Sequence, residues 1–251
     1  MPDQKQYQRA IVTGSGFAGL LAARVLSDYF QQVVIVEKDN QPSTPVPRKG
    51  VPQGHHIHVL LNAGEQILED LFPGIKSEML EAGSQTAVLG NEVRWRVAGK
   101  WMPPFDGGMT TFFQTRPMLE LVLRRRVANV ENITFKYGAK SKKYSLSENG
   151  DKITSVTLVD VTTGQESEEK AELFVETSGA STDIIQRLSA MGYPVPRESV
   201  VEPDFAYSSC LMEVPESWKG RYRSVLIYPN APEETRAGAF VPVEGGKWMV
   251  T

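Results

Sequence analysis

Residues Gly14-Ser15-Gly16-Phe17-Ala18-Gly19 spell G-x-G-x-x-G, and an acid, Glu37, follows 23 positions after Gly14. Each part has a physical use. Gly14 permits a tight turn, Gly16 lets backbone approach a pyrophosphate, and Gly19 lets a helix pack closely on a strand. With Ser15, Phe17 and Ala18 these residues open a helix, whose N-terminus offers N–H donors and partial positive charge to phosphates. A carboxylate at Glu37 can accept hydrogen bonds from the two ribose hydroxyls and would repel a 2′-phosphate. The chemistry implied is binding of FAD or NAD, and NADP is disfavoured at this position. A bare strand-turn-helix without ligand would share the pattern, but the acid at this spacing argues against it.

The elements that must position these residues can be read from the pattern. Ala10-Ile11-Val12 is a buried strand, Phe17 to Phe30 a helix apolar on much of its surface, and Val33-Val34-Ile35-Val36 a second strand parallel to the first, which makes a βαβ unit. Pro42, Pro45, Pro47 and Pro52, with Gly50 and Gly54, make 38–54 a long loop. Helices are expected at 62–71 and 117–127, strands at 86–97, 109–114, 133–137, 144–146, 153–159 and 173–175. A hairpin turns at Asn149-Gly150-Asp151. Ser181 is expected to cap a helix running to Met191, and strands are expected at 205–214, 223–228, 237–243 and from 248 onward.

The three histidines, His55, His56 and His58, lie together in Arg48-Lys49-Gly50-Val51-Pro52-Gln53-Gly54-His55-His56-Ile57-His58. A metal site is not expected. Adjacent histidines diverge, no cysteine is near, and no Asp or Glu occurs between Asp39 and Glu65. The segment is either a solvated polar loop or, the preferred reading, a loop near a flavin with Arg48 as its cation. A net charge of −3 gives no electrostatic case for nucleic acid or an anionic membrane. No apolar run approaches the roughly 20 residues that span a bilayer. One cysteine, Cys210, and a polar N-terminus fit a cytoplasmic protein.

The glycine hexad, the strand end Val36-Glu37-Lys38-Asp39 and the run from Arg48 through Leu61 resemble bacterial FAD-dependent oxidoreductases of the aromatic-hydroxylase superfamily, the p-hydroxybenzoate hydroxylase-like group with its squalene epoxidase-like and halogenase-like branches. Gln114-Thr115-Arg116-Pro117-Met118-Leu119-Glu120 and Phe174-Val175-Glu176-Thr177-Ser178-Gly179-Ala180-Ser181 extend the resemblance. It implies an α/β fold, with a Rossmann-type, glutathione-reductase-like FAD domain over 1–85 and 110–192. An incomplete β-rich substrate domain would cover 86–109 and 193–251. Glu37 and Lys38 would serve the ribose, Arg48 and Arg116 the pyrophosphate or flavin, and the backbone at Ala139 and Gly179 the adenine side. The bland alternative for Arg116 is an exposed residue at a helix start.

The same resemblance implies that NAD(P)H reduces the flavin, which then uses O₂ to oxygenate a small aromatic, polyketide or terpenoid substrate. The flavin carries the chemistry, so no catalytic side chain is assigned. A flavin reductase of an unsaturated lipid or isoprenoid is the rival enzyme. A halogenase lacks its Trp-x-Trp-x-Ile-Pro signature here. A non-catalytic fragment needing a partner chain is the rival of another class. Two departures favour it. The family's later Gly-Asp motif has no counterpart, since Gly150-Asp151 reads as a polar turn. The sequence also stops at Trp248-Met249-Val250-Thr251, inside what reads as a strand, so an open sheet edge near Trp248 and self-association are expected.

Overall fold

The computed structural model describes residues 5–179, 182–202, 204–218 and 223–251. In chain order, β1 (Tyr7–Thr13), α1 (Phe17–Leu26) and β2 (Phe30–Glu37) come first. After an irregular stretch come β3 (Val59–Leu60), α2 (Asn62–Leu71), α3 (Ile75–Glu81), β4 (Gln85–Val88), β5 (Val93–Val97), β6 (Lys100–Trp101) and β7 (Thr110–Phe113). Helix α4 (Arg116–Ala128) leads to β8 (Ile133–Tyr137), β9 (Ala139–Leu146), β10 (Ile153–Asp160), β11 (Glu166–Lys170), β12 (Leu173–Glu176) and α5 (Ile184–Ala190). The chain closes with β13 (Cys210–Glu213), β14 (Ser224–Ile227), β15 (Gly238–Val243) and β16 (Lys247–Val250).

Two compact units result: 1–43 with 123–202, and 44–122 with 203–251. The segments 44–85 and 110–122, assigned in advance to the FAD domain, fall in the second. There β3 and β4 pair with β7, so these residues build a sheet of their own.

The first unit is built on an all-parallel sheet in the order β12-β1-β2-β8. Strands alternate their side chains, so β1 and β2 must be apolar on both faces to be covered on both. Ile11, Val34 and Val36 pack against Tyr144, Val156 and Leu158 of an antiparallel meander, β11-β10-β9. Ala10, Val12, Val33 and Ile35 point the other way and are fully buried, with Leu20 and Ala23 of α1. The sequence places α1 correctly but extends it to Phe30. The helix stops at Leu26, where the Ser27 hydroxyl donates to the Arg24 carbonyl (2.6 Å), and Phe30 already belongs to β2. The expected hairpin joins β9 to β10, with Gly150 N–H donating to the Ser147 carbonyl (2.9 Å). Helix α5 lies within the expected span. Its expected cap, Ser181, lies outside the described residues, as does Ala180 of the family-like turn.

The second unit holds a mixed sheet, β13-β16-β15-β14-β5-β6, and the small sheet β3-β7-β4. Its core gathers Ala87, Val93, Phe113, Val241, Val243 and Met249. The single strand expected over 86–97 is two strands in different sheets. The chain turns where Glu92 N–H donates to the Val88 carbonyl (2.9 Å) and the Glu92 carboxylate accepts from Val88 N–H (2.8 Å). The open edge expected near Trp248 is absent. Strand β16 is flanked by β13 and β15, antiparallel to both. Trp248 is buried against the rings of Trp218 and Phe240, at 6.0 and 6.5 Å. The chain covers its last strand with an earlier one, β13, which was read as part of a longer run. Among the described residues no helix is long and apolar enough to cross a membrane.

Leu158, 1% exposed, ties the meander to the parallel sheet. Leu158→Ala should lower the unfolding free energy by about 2–5 kcal/mol, the cost of a buried leucine truncation. Urea unfolding measures it, and a loss below about 1 kcal/mol would contradict the packing described.

Candidate functional site: a dinucleotide loop in the first unit

In the first unit the glycine hexad sits where β1 ends and α1 begins, beside the ends of β2 and β12. Gly14 has φ +94°, the left-handed region that favours glycine, and its N–H donates to the Val36 carbonyl (2.8 Å). A Cβ there would stand 2.4 Å from the Thr177 carbonyl oxygen. A Cβ on Gly19 would stand 1.9 Å from the Gly14 carbonyl oxygen and 2.7 Å from the Thr177 hydroxyl. These two glycines are therefore demanded by packing among β1, α1 and β12. Thr177 completes the lock. Its N–H reaches the Thr13 carbonyl (2.8 Å), and its hydroxyl lies 2.7 Å from that carbonyl and 3.1 Å from that of Gly14.

Gly16 differs. It is the N-cap of α1 with φ −73° and ψ −173°, a conformation open to any residue. The backbone does not require glycine there. Gly16 supplies no side-chain cap to α1, and no acid lies in the first turn of the helix. Phe17 and Ala18 form that first turn with Gly19. A helix start without a side chain at its N-cap is an arrangement that anionic groups use to approach a helix N-terminus.

Glu37 ends β2 and is 5% exposed. Its Oε2 accepts from Ser15 N–H (2.9 Å) and the Ser15 hydroxyl (2.5 Å), and its Oε1 accepts from Asp39 N–H (3.0 Å). Lys38 is exposed beside Glu37. Glu37 pairs in register with Tyr137, and Ala139, which opens β9, follows two residues later with its side chain buried in the core. Gly179 has φ +95° just beyond Thr177. The loop, Glu37, Ala139 and Gly179 thus all belong to the first unit.

Sequence reasoning missed three residues of this neighbourhood. Arg124 of α4, 3% exposed, donates to the Ser15 hydroxyl and to the Ser15 carbonyl, both at 2.7 Å. Glu176 accepts from the Tyr144 hydroxyl (2.9 Å) and from Ser178 N–H (2.9 Å). Burial first, then the Glu176 charge, pushes the Tyr144 phenol up to about 12, so it stays a donor.

In the second unit Arg48 and Arg116 are brought together on Glu120. Arg48 donates to Oε1, and Arg116 Nε stands 3.6 Å from Oε2. Two guanidiniums on one carboxylate give these three groups one net positive charge. The neighbouring His58 is held below the ordinary imidazole range, first by burial and then by the Arg116 charge. His56 Nδ1 meets the Ser209 hydroxyl at 2.8 Å, and His55 is exposed. Among the described residues no group of three or more His, Cys, Asp or Glu could hold a metal.

No family model matches the chain. Protein Rv3254 of Mycobacterium tuberculosis (strain ATCC 25618 / H37Rv) is 30% identical over 253 residues, covering 96% of this chain. The chain spans about half of that relative's length, 52%. Solved structures share the fold at low identity. PqsL, a probable FAD-dependent monooxygenase from Pseudomonas aeruginosa, superposes with TM-score 0.65 and 13% identity over 96% of this chain and 59% of that one. p-Nitrophenol 4-monooxygenase PnpA from Pseudomonas putida DLL-E4 gives 0.65 and 13% over 98% and 57%. A glycerol-3-phosphate dehydrogenase from Bacillus halodurans complexed with FAD gives 0.60 and 14% over 98% and 47%. The fold is a Rossmann-type FAD-binding fold.

The glycine geometry makes a direct prediction. Gly19→Ala forces a Cβ into the Gly14 carbonyl, so it should destabilise the protein by about 1–3 kcal/mol, as overpacking does. Denaturant unfolding reads this. A neutral effect would show that α1 and β1 are not held at the distance described.

Proposed function

We propose that this chain carries the adenosine-diphosphate-binding half of an FAD-dependent oxidoreductase, a monooxygenase acting on a small organic substrate with NAD(P)H as reductant. The observation that carries the proposal is the α1 start with glycine as its N-cap, with the Glu37 carboxylate held beside it. FAD brings a pyrophosphate and an adenosine ribose with free hydroxyls, and both fit this donor and acceptor set. Bound flavin supplies the redox chemistry and O₂ activation.

The chain's own residues bind and orient. The start of α1, from Gly16 to Gly19, faces the diphosphate with its backbone and its positive dipole end. The Glu37 carboxylate serves the adenosine ribose, with Lys38 beside it. The backbone at Ala139 and Gly179 serves the adenine side. Arg48 and Arg116 of the second unit, both on Glu120, are guanidiniums of the type that serve a phosphate or a flavin.

The likeness to FAD-dependent monooxygenases supports oxygenation. The likeness to an FAD-complexed glycerol-3-phosphate dehydrogenase favours, as the second reading, dehydrogenation or reduction on the same fold. Substrate-dependent O₂ consumption by the loaded protein separates the two.

Gly16→Val is the test of the site. The backbone of Gly16 accepts valine, so circular dichroism and unfolding should be nearly unchanged, while flavin-fluorescence titration should show FAD affinity reduced at least a hundredfold. A folded Gly16→Val protein with unaltered FAD affinity would remove this loop from the binding site.

A further inference from the structure

We propose that Glu244 is a positioning residue for the cofactor arginines of the second unit: by clamping Thr115, the residue that caps α4, it fixes where Arg116 stands. This rests on the reading of Arg116 as a cofactor residue. The Thr115 carbonyl accepts from Leu119 N–H (3.2 Å), the first bond of α4, and the Thr115 hydroxyl oxygen accepts from Met118 N–H (3.3 Å). A capping box would add a Glu or Gln three residues on, reaching back to the N–H of the capping residue. Here that position is Met118, which has neither carboxylate nor amide. Glu244 supplies the carboxylate from 129 positions away. Its Oε2 accepts from Thr115 N–H (2.9 Å), and its Oε1 accepts from the Thr115 hydroxyl. The single hydroxyl proton goes to Glu244, and the hydroxyl oxygen serves the helix.

The clamp is built into the sheet of the second unit. Glu244 begins the turn between β15 and β16, which Gly245 and Gly246 complete with φ +72° and +69°. Gly83 leaves room for it: a Cβ there would stand 3.1 Å from the Glu244 Cβ. Arg116 follows Thr115 directly and opens α4, and its Nε stands 3.6 Å from Glu120 Oε2. Arg48 donates to the other oxygen of Glu120. Fixing Thr115 therefore fixes the backbone from which Arg116 and, one turn on, Glu120 project. A turn of the β-rich sheet sets the place of the arginines that the proposed function gives to the cofactor.

A double-mutant cycle reads the proposal. Flavin-fluorescence titration of the whole chain should show FAD affinity reduced about tenfold by Arg116→Met, the worth of one charge-assisted bond, and about as much by Glu244→Gln. In the Arg116→Met background, Glu244→Gln should cost about twofold or less, because the group that it positions is gone. Thr115→Ala should behave like Glu244→Gln, and Thr115→Ser should restore most of the lost affinity. General loosening of α4 would lower the affinity by the same factor in both backgrounds. A folded Glu244→Gln that keeps wild-type FAD affinity overturns the proposal, as does a second loss of about tenfold in the Arg116→Met background. If Glu244→Gln does not fold, Thr115→Ala in the same cycle decides by the same outcomes. Unaltered FAD affinity in Arg116→Met removes that arginine from the cofactor site and this inference with it, while the glycine loop stands on its own test. Wild-type protein that does not bind FAD overturns the dinucleotide reading itself.

Discussion

Burial of the Glu37 carboxylate is the constraint on which the first unit depends. An ion taken out of water costs several kcal/mol unless donors replace the water. Here the donors are Ser15 N–H, the Ser15 hydroxyl and Asp39 N–H. Two of the three belong to the loop between β1 and α1. Satisfying the carboxylate therefore sets the loop's shape, and the loop sets where α1 begins. Gly14 and Gly19 then let α1, β1 and Thr177 of the adjoining strand end close together. A loop positioned in this way can offer N–H donors to a ligand without rearranging first, which lowers the ordering cost of binding.

The second unit uses acids similarly, Glu65 and Glu120 buried and Glu244 half-buried. Glu120 holds Arg48 and Arg116. Glu65, 2% exposed, accepts from Phe112 N–H (3.1 Å) and so ties α2 to β7, with burial raising its carboxyl above the ordinary range. Glu244 accepts from both the N–H and the hydroxyl of Thr115, immediately before α4. Each accepts from residues distant in sequence, and losing a buried partner costs more than losing a surface ion pair.

The legible parts of the fold were those whose cause is local. The β1-α1-β2 unit follows from apolar runs around a glycine turn, and α2 and β8 match their expected bounds because periodicity and flanking polar residues mark both ends. The hairpin at Gly150 was legible from its turn residues. What failed was set by long-range pairing. No local signal says that β4 and β5 belong to different sheets, or that β13 returns to cover β16. The site divides in the same way. Gly14, Gly19 and Glu37 announce themselves by spacing. Arg124 sits in Arg124-Arg125-Arg126, which looks like a solvated face. Only its place three residues after Leu121 and three before Val127, both buried, could have marked it as internal.

The central claim is that a dinucleotide is held at the β1-α1 loop and Glu37. Amide NMR of the isotopically labelled chain titrated with FAD tests it directly. The account predicts that the largest shifts fall on Ser15, Gly16, Phe17, Ala18 and the residues flanking Glu37, saturating in step with the flavin fluorescence change. FAD binding that leaves those amides unmoved while shifting others would contradict the account.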